Sequence, residues 1–186
     1  MIEQISIGRG VAMPENSSGK GLQAYVCLGS NCANAEEMLA RARQGLAALP
    51  HIRTGAASPL YCTEPQGYAD QSWFFNQVIE LFADASWTPC SLVDALLDIE
   101  ADLGRVRSAD PALRFGPRAI DADLLLFGQM RSQDPHCLVP HPRLTQRAFA
   151  LVPLLDVAPH AVIDGLPATE WLSRLQYKKD GQRIFQ

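Results

Sequence analysis

One stretch of the sequence, residues 116–127, reads Gly116-Pro117-Arg118-Ala119-Ile120-Asp121-Ala122-Asp123-Leu124-Leu125-Leu126-Phe127. From Ile120 onward this pattern predicts a β-strand, in which successive side chains point to opposite faces of the sheet. The apolar side chains at positions 120, 122, 124 and 126 are therefore expected on the core face, with Asp121 and Asp123 together on the other face. Two neighbouring carboxylates repel each other unless a cation lies between them, and Mg²⁺, which takes oxygen ligands and bound phosphate, is the natural candidate.

Four arginines precede the aspartates in a proline-containing segment: Arg105, Arg107, Arg114 and Arg118. Guanidinium groups beside a carboxylate pair suit a polyphosphate that a metal ion bridges to the protein. Structural salt bridges at a sheet edge would account for the same residues. Evidence from the rest of the sequence is therefore needed to distinguish a polyphosphate site from a set of salt bridges.

The remaining pattern predicts strands and helices in the order β-α-β-β-α-β. The first helix is expected to start at Asn34, with Glu37 as its capping-box partner, and the second at Thr88 and Pro89, with Gly104 as its stop. The strands are predicted at residues 22–28, within 52–61, at 74–82 and from 120 onward, and two later helices at 147–155 and 169–175. This order predicts an α+β protein with a ferredoxin-like βαββαβ antiparallel sheet, both helices on one face, the other face open for a ligand, and additional C-terminal helices.

Size and composition set limits on the function. Residues 1–21 are rich in turn formers and are expected to be an N-terminal extension, whereas residues 22–186 are expected to form a single domain. The 186 residues carry 20 acidic and 16 basic side chains, and a net charge of -4 argues against a general nucleic-acid or anionic-membrane binder. The sequence shows neither a membrane-span pattern nor a signal-peptide pattern, so a cytoplasmic protein is expected, and a monomer.

The five cysteines are scattered and form no C-x-x-C pair, so zinc and redox motifs are unsupported. Free thiols in a reducing cytoplasm are the expected state.

Six segments occur in a fixed order: Leu28-Gly29-Ser30-Asn31; Ser58-x-x-Tyr61-x-Thr63-x-Pro65-x-Gly67; Phe75-Asn76; Ile99-Glu100-x-x-Leu103-Gly104-Arg105-x-Arg107; Arg114-Phe115-Gly116-Pro117-Arg118-x-Ile120-Asp121-x-Asp123; and Val139-Pro140-His141-Pro142-Arg143, followed by Arg147 and Phe149. Together they span residues 24 to about 160, and the chain that carries them resembles the 6-hydroxymethyl-7,8-dihydropterin pyrophosphokinase family. The resemblance implies that ATP donates its β,γ-pyrophosphoryl group to the hydroxymethyl oxygen of 6-hydroxymethyl-7,8-dihydropterin, leaving AMP, in folate biosynthesis. Such a transfer needs charge neutralisation and in-line alignment more than a protein nucleophile.

The resemblance also implies roles on the ATP side. Asp121 and Asp123 match the metal-binding aspartates, which in the family hold two Mg²⁺ ions, and Arg105 and Arg118 match the catalytic arginines. The further residues expected to bind ATP or to support the arginines are Glu100, Arg107, Arg114, Leu124, His141 and Arg147.

A second group of residues matches the pterin site of the family. A pterin is a flat polar heteroaromatic ring, which needs stacking faces and hydrogen-bond groups in its plane. Phe74 and Phe149 match the stacking positions, Asn76 matches the in-plane amide, and Thr63 and Gln66 lie in the segment expected to meet the pterin. Phe74 stands where many relatives carry Tyr.

Three alternatives stay open at this point. A ferredoxin-like RNA-binding module would carry basic and aromatic residues on the open face of its sheet, whereas this chain is expected to place carboxylates there. A metal-dependent phosphohydrolase could use the same acids and arginines but has no need for a flat aromatic slot. An inactive relative would be expected to lose the arginines and aspartates that this sequence retains.

Overall fold

The computed structural model describes residues 21–66, 71–105 and 118–186. Within these ranges the chain folds as a mixed α/β protein with four helices and a seven-stranded sheet. The helices are α1 Ala35–Ala48, α2 Pro89–Asp102, α3 Ala148–Val157 and α4 Ala168–Ser173. The strands of the sheet are β1 Leu22–Ser30, β2 Ile52–Ala57, β3 Tyr61–Thr63, β4 Phe74–Ala83, β5 Asp121–Phe127, β8 Lys178–Asp180 and β9 Arg183–Phe185, while β6 Val162–Ile163 and β7 Leu166–Pro167 form a separate pair.

Strand β1 lies in the middle of the sheet, between β4 and β5, and runs antiparallel to both. The region predicted to hold the second strand supplies two strands instead, since β2 and β3 each pair antiparallel with β4. Beyond β3 the sheet continues with β9, which runs parallel to β3, and then with β8. The sequence did not predict this C-terminal hairpin. The predicted extension, residues 1–21, lies outside the described residues except for Gly21.

Helices α1 and α2 cover one face of the sheet. Their apolar faces pack on alternate residues of β1 and β4 in a core that includes Val26, Leu28, Leu39, Leu46, Leu81, Leu92 and Leu96. The predicted start of α2 is confirmed: Thr88 and Ser91 form a reciprocal capping box, with Pro89 in the first turn. Gly104, at φ +85, ends the helix as predicted, and the turn brings Arg105 to β5.

The capping box predicted for α1 is wrong. Asn34 occupies the N-cap position, but its side chain accepts no hydrogen bond from the backbone of the first turn. Its Oδ1 instead lies 3.2 Å from the Cys32 thiol, and its Nδ2 lies 3.4 Å from Oε2 of Glu37. The helix therefore starts at the predicted place without the predicted cap.

A β-bulge changes the face assignment of β5. Tyr25 pairs with Leu126 whereas Val26 pairs with Leu124, so Leu125 is an extra residue in the strand. Before the bulge the alternation holds, but beyond it Leu126 packs with Leu125 on the second face of the sheet. The prediction that Leu126 shares the core face with Ile120 is therefore wrong.

The second face of the sheet is not entirely open, contrary to the sequence-based expectation. Helix α3 packs there on Cys27, Val78 and Leu125, and α4 packs beside α3. The part left uncovered lies beside the start of β5 and the end of β3, and it holds the cavity that is described below.

The expectation of free thiols is wrong for two of the five cysteines. Cys90, in the first turn of α2, forms a disulfide with Cys137, whereas Cys27, Cys32 and Cys62 are free. The two partners are 47 residues apart, and only the packing of α2 beside the segment after β5 brings them together. Among the described residues, none of the helices combines the length and the hydropathy needed to cross a lipid bilayer.

Candidate active site

A cavity of about 340 Å³ opens on the second face of the sheet. Two acidic residues, Asp121 and Asp123, form one part of its wall, and three basic residues, Arg118, Arg143 and Arg147, lie around them. The wall also holds the polar and aromatic residues predicted for the pterin, namely Thr63, Gln66, Phe74, Asn76 and Phe149. The fold thus brings residues of both predicted groups together in a single cavity.

Asp121 is clamped between two arginines. Arg105 pairs with its Oδ1 and Arg118 with its Oδ2. Burial on its own would raise the pKa of Asp121, but the two guanidinium groups outweigh burial and lower this pKa below its usual range. The Asp121 carboxylate is therefore held in its charged form, as a cation ligand must be.

Asp123 has a different environment. Its Oδ2 lies 3.3 Å from Nη1 of Arg147 and 3.8 Å from Nε2 of His141. Burial and the neighbouring charge of Asp121 raise the pKa of Asp123, and His141 and Arg147 only partly offset this. The second carboxylate thus lacks full compensation from the protein cations that are described, and an added cation would supply it.

His141 approaches Asp123 because its backbone N–H donates to the Leu125 carbonyl oxygen of β5 at 2.9 Å. Burial lowers the pKa of His141, and Arg147 and Arg143 lower it further, while Asp123 opposes them. The ring lies next to the acid pair without lining the cavity.

Glu100 supports the arginine clamp from within the protein. Its side chain is 2% exposed, and its Oε1 accepts hydrogen bonds from Arg105 Nη1 at 2.5 Å and from the Ala122 backbone N–H at 2.8 Å. Arg105 is therefore shared between Glu100 and Asp121. This burial favours the supporting role that was predicted for Glu100 over direct contact with ATP.

On the pterin side, Asn76 donates a hydrogen bond from Nδ2 to the Thr63 hydroxyl at 2.7 Å. Both residues are buried and lie on paired strands, Asn76 on β4 and Thr63 on β3. On the other neighbour of β4, a Cβ at Gly29 would meet Oδ1 of Asn76 at 2.6 Å, so the absence of a side chain at Gly29 makes room for the amide.

The two phenylalanines that were predicted to stack on a pterin both line the cavity. Phe74 starts β4, and Phe149 lies in the first turn of α3, two residues after Arg147. The guanidinium carbon of Arg147 lies 5.2 Å from the centroid of the Phe149 ring. Arg147 therefore contacts both the acid pair and the aromatic part of the cavity.

Asn31 joins the chain segments on either side of the cavity. Its Nδ2 donates to Gln71 Oε1 at 2.9 Å, and its Oδ1 accepts from the Arg118 backbone N–H at 2.8 Å. One buried side chain thus ties the segment before β4 to the segment before β5.

Some predicted residues lie elsewhere. Leu124 is 4% exposed in the core beneath α1 and α2, on the face of β5 opposite the aspartates, which does not favour the predicted ATP contact. Arg107 and Arg114 lie outside the described residues. Cavity-lining residues that were not predicted as site residues are Cys27, Gly29, Glu64, Gln71, Arg143 and Gln146. Gly29 and Arg143 belong to segments that carry the family resemblance, so the motif could have pointed to them.

The fold and the cavity, which brings acids and guanidinium groups beside Asn76 and two phenylalanine rings, fit a class of enzymes that transfer a phosphoryl-type group between two bound molecules. Comparison with known proteins identifies the family. The model for 7,8-dihydro-6-hydroxymethylpterin-pyrophosphokinase (HPPK) matches residues 25–159.

Curated relatives agree with this match. The 2-amino-4-hydroxy-6-hydroxymethyldihydropteridine pyrophosphokinase of Methylorubrum extorquens is 43% identical over 153 residues, which cover 82% of this chain and 93% of the relative. The protein of the same name from Pseudomonas aeruginosa is 45% identical over 137 residues, which cover 74% of this chain and 81% of the relative.

Solved structures show the same fold. Wild-type Plasmodium falciparum HPPK-DHPS matches with a TM-score of 0.60 at 14% identity, over 85% of this chain and 45% of that chain. This chain thus spans less than half the length of that structure. The chain belongs to the 7,8-dihydro-6-hydroxymethylpterin-pyrophosphokinase family.

Proposed function

We propose that the cavity is the site where this enzyme transfers the β,γ-pyrophosphoryl group of ATP to 6-hydroxymethyl-7,8-dihydropterin. Family membership confirms the predicted function and enzyme class, a pyrophosphokinase of folate biosynthesis. The observation that supports the residue assignments is that one cavity contains both the acid pair with its arginines and the slot formed by Asn76, Phe74 and Phe149.

The pterin is assigned to the slot. Phe74 and Phe149 offer apolar ring surface for a flat heterocycle, and Asn76 offers an amide in a fixed orientation because Thr63 accepts one of its hydrogens. A pterin bound there places its hydroxymethyl group toward the acid pair. This orientation makes the hydroxymethyl oxygen the attacking nucleophile.

The polyphosphate of ATP is assigned to the charged part of the cavity. Arg118, Arg143 and Arg147 line this part and can bind phosphate oxygens through several N–H groups at once. In the transfer, a bond forms between the hydroxymethyl oxygen and the β-phosphorus, the bond from that phosphorus to the oxygen shared with the α-phosphate breaks, and the hydroxyl proton is lost. The arginines stabilise the charge on the moving group, and the two bound substrates are held in line.

The residues fit Mg²⁺. Asp121 and Asp123 provide hard oxygen ligands on one strand face, both line the cavity, and each acid lies beside a like charge that a cation would offset. When bound, Mg²⁺ neutralises phosphate charge and polarises phosphate oxygens. The number of ions, two by family resemblance, stays a prediction.

We also propose that the sheet is ferredoxin-like, as expected from the sequence. The order β5-β1-β4-β2, with all neighbours antiparallel, supports this topology. The domain limits, the monomeric state, the absence of nucleic-acid partners and the cytoplasmic location stay predictions.

The test is AMP formation from ATP and 6-hydroxymethyl-7,8-dihydropterin in the presence of Mg²⁺. The wild-type protein should produce AMP only when the pterin is present, whereas release of inorganic phosphate without the pterin would indicate a phosphohydrolase. Asp121→Asn and Asp123→Asn should each lower kcat by at least about a thousandfold, since metal binding and charge stabilisation are lost together. The matched control is Asp98→Asn on the exposed side of α2, which should retain wild-type turnover.

A further inference from the structure

We propose that the C-terminal hairpin, strands β8 and β9 with Gln186, sets the pterin affinity of the cavity and that Gln186 is its main positioning residue. The hairpin lies beyond residues 25–159, the region that matches the family model. This inference rests on the proposed function, because it concerns the pterin side of the same cavity.

Gln186 makes four hydrogen bonds to the rim of the cavity. Its Oε1 accepts from Gln66 Nε2 at 2.9 Å and from the Ala148 backbone N–H at 2.7 Å. Its Nε2 donates to the Gln146 carbonyl oxygen at 2.9 Å, and its backbone N–H donates to Glu64 Oε2 at 3.1 Å. Every polar group of the side chain amide is therefore directed to a different partner on the rim.

These partners belong to two chain segments that border the cavity. Glu64 and Gln66 follow β3, and Gln146 precedes α3; all three line the cavity. The Ala148 N–H is in the first turn of α3, between Arg147 and Phe149, which also line it. A single side chain thus fixes the segment after β3 relative to the stacking ring at the start of α3.

Phe185 contacts the residue that precedes the other predicted stacking ring, Phe74. Its ring meets Trp73 edge to face, with the centroids 5.2 Å apart and an interplanar angle of 85°. Trp73 directly precedes Phe74, so the contact supports the start of β4 next to the slot. The hairpin therefore contacts the chain beside both phenylalanines.

The hairpin itself is anchored deeply enough to serve as a support. Strand β9 pairs in parallel with β3, and Ile184 is buried against Tyr61, Ala148 and Val152. Lys179 Nζ lies 3.2 Å from the Tyr61 hydroxyl, which donates to Asp156 of α3 at 2.8 Å. These contacts fix β9 between β3 and α3, so that Gln186 leaves the strand at the rim.

A purely structural role, closing the edge of the sheet, makes a different prediction from a positioning role. Loss of an edge strand would lower stability and affect both substrates alike. Loss of rim positioning should instead weaken pterin binding more than ATP binding. The charged part of the cavity is held mainly by the pairs of Asp121 with Arg105 and Arg118, and Gln186 reaches this part only through the backbone groups on either side of Arg147.

The experiment compares Gln186→Ala, Gln186→Glu and the control Gln182→Ala. Gln182 is an exposed residue of the same hairpin whose backbone carbonyl oxygen accepts from Cys62. Gln186→Ala should raise the KM and Kd for the pterin about fivefold or more, as expected for the loss of hydrogen bonds, with kcat and the KM for ATP within about twofold of wild type. Gln186→Glu replaces the donor to the Gln146 carbonyl oxygen by an acceptor and adds a negative charge at the residue that contacts Glu64. This variant should therefore bind pterin no better than Gln186→Ala, whereas Gln182→Ala should match wild type.

The proposal is overturned if Gln186→Ala binds pterin like wild type, if the binding of both substrates weakens equally, or if Gln186→Glu binds pterin like wild type. Should Gln186→Ala prove unstable, Phe185→Leu provides the second variant, with the same split between pterin and ATP expected. Pterin binding is measured by calorimetry without ATP, so this measurement does not depend on turnover. If pterin affinity depends on Gln186 as expected but the wild-type protein forms no AMP, the proposed function is contradicted and this inference still holds.

Discussion

Asn76 on β4 and Thr63 on β3 are joined by a hydrogen bond of 2.7 Å from the amide nitrogen to the hydroxyl, and both residues line the cavity. This hydrogen bond uses one of the two amide hydrogens of Asn76 and fixes the plane of the amide. A fixed amide that can still donate one hydrogen and accept at Oδ1 suits the edge of a pterin. The relationship therefore links the pairing of two short strands to the recognition of one substrate.

Replacing Asn76 by Ala should weaken pterin binding by about 1 to 3 kcal/mol, roughly 5- to 150-fold in Kd, because the ligand loses its in-plane partners. Thr63→Val, which removes only the acceptor that orients the amide, should have a smaller effect of the same kind. Calorimetric titration with pterin and separately with an ATP analogue measures both. Asn34→Ala, at an exposed Asn, is the control, and equal losses for both ligands in Asn76→Ala would contradict the slot.

Gly29→Ala should also weaken pterin binding selectively. The added methyl group would meet Oδ1 of Asn76 at 2.6 Å, and the amide would have to turn away from its hydrogen bond with Thr63. We expect pterin affinity to fall by about tenfold, similar to the loss of one or two hydrogen bonds. Kd values for pterin and for ATP, measured on the same variant, test this, and unchanged pterin binding would show that the amide is not held where the structure places it.

Strand β5, which carries the two aspartates, shows which side-chain orientations could be predicted from the sequence and which could not. Alternation with period 2 correctly placed Asp121 and Asp123 on one face, because residues 121–124 follow regular pairing with β1. It failed at Leu126, because an inserted bulge residue is a feature of the pair of strands and not of the apolar pattern of either one. Leu124, Leu125 and Leu126 are all leucines and gave no local signal of the change.

The site was predictable where its residues belong to a motif and unpredictable where only packing brings them in. The segment motifs led to Asn76, Phe149 and the arginine clamp, whereas Gln146 lines the cavity because α3 packs on the sheet, and Cys27 because β1 pairs with β5 beside Asp123. The hairpin at residues 178–185 is short and largely exposed, so its strands carry little apolar periodicity. Its role depends on pairing with β3, far away in the sequence.

The disulfide is a second case of contact across a long sequence separation, and it makes a prediction about stability. Without reductant, denatured protein should show three titratable thiols, from Cys27, Cys32 and Cys62. Cys90→Ser and Cys137→Ser should each lower the free energy of unfolding, by up to about 4 kcal/mol in the chain-entropy model for a loop of this size. Cys62→Ser is the control. Five titratable thiols in wild-type protein would contradict the disulfide.

The shared position of Arg105 between Glu100 and Asp121 predicts how the acid pair holds its cation. Glu100 is buried and supplies a negative charge that divides the guanidinium of Arg105 between two carboxylates. In Glu100→Gln the amide oxygen can still accept from Arg105, but the negative charge is lost, and the charged part of the cavity becomes more positive by one unit. Through an interior of intermediate dielectric such a change is worth about 1 to 2 kcal/mol, so the Mg²⁺ concentration for half-maximal activity should rise by roughly 5- to 30-fold.

Titration of activity with Mg²⁺ at saturating ATP and pterin measures this shift. The control is Glu170→Gln, which removes a carboxylate from an exposed pair with Arg174 on α4 and should leave the Mg²⁺ dependence unchanged. Pterin affinity should be the same in Glu100→Gln and wild type, since Glu100 lies on the side of β5 away from the slot and does not line the cavity. If the variant loses activity with an unchanged Mg²⁺ midpoint, Glu100 acts on the arginines alone and not on the charge balance of the acid pair.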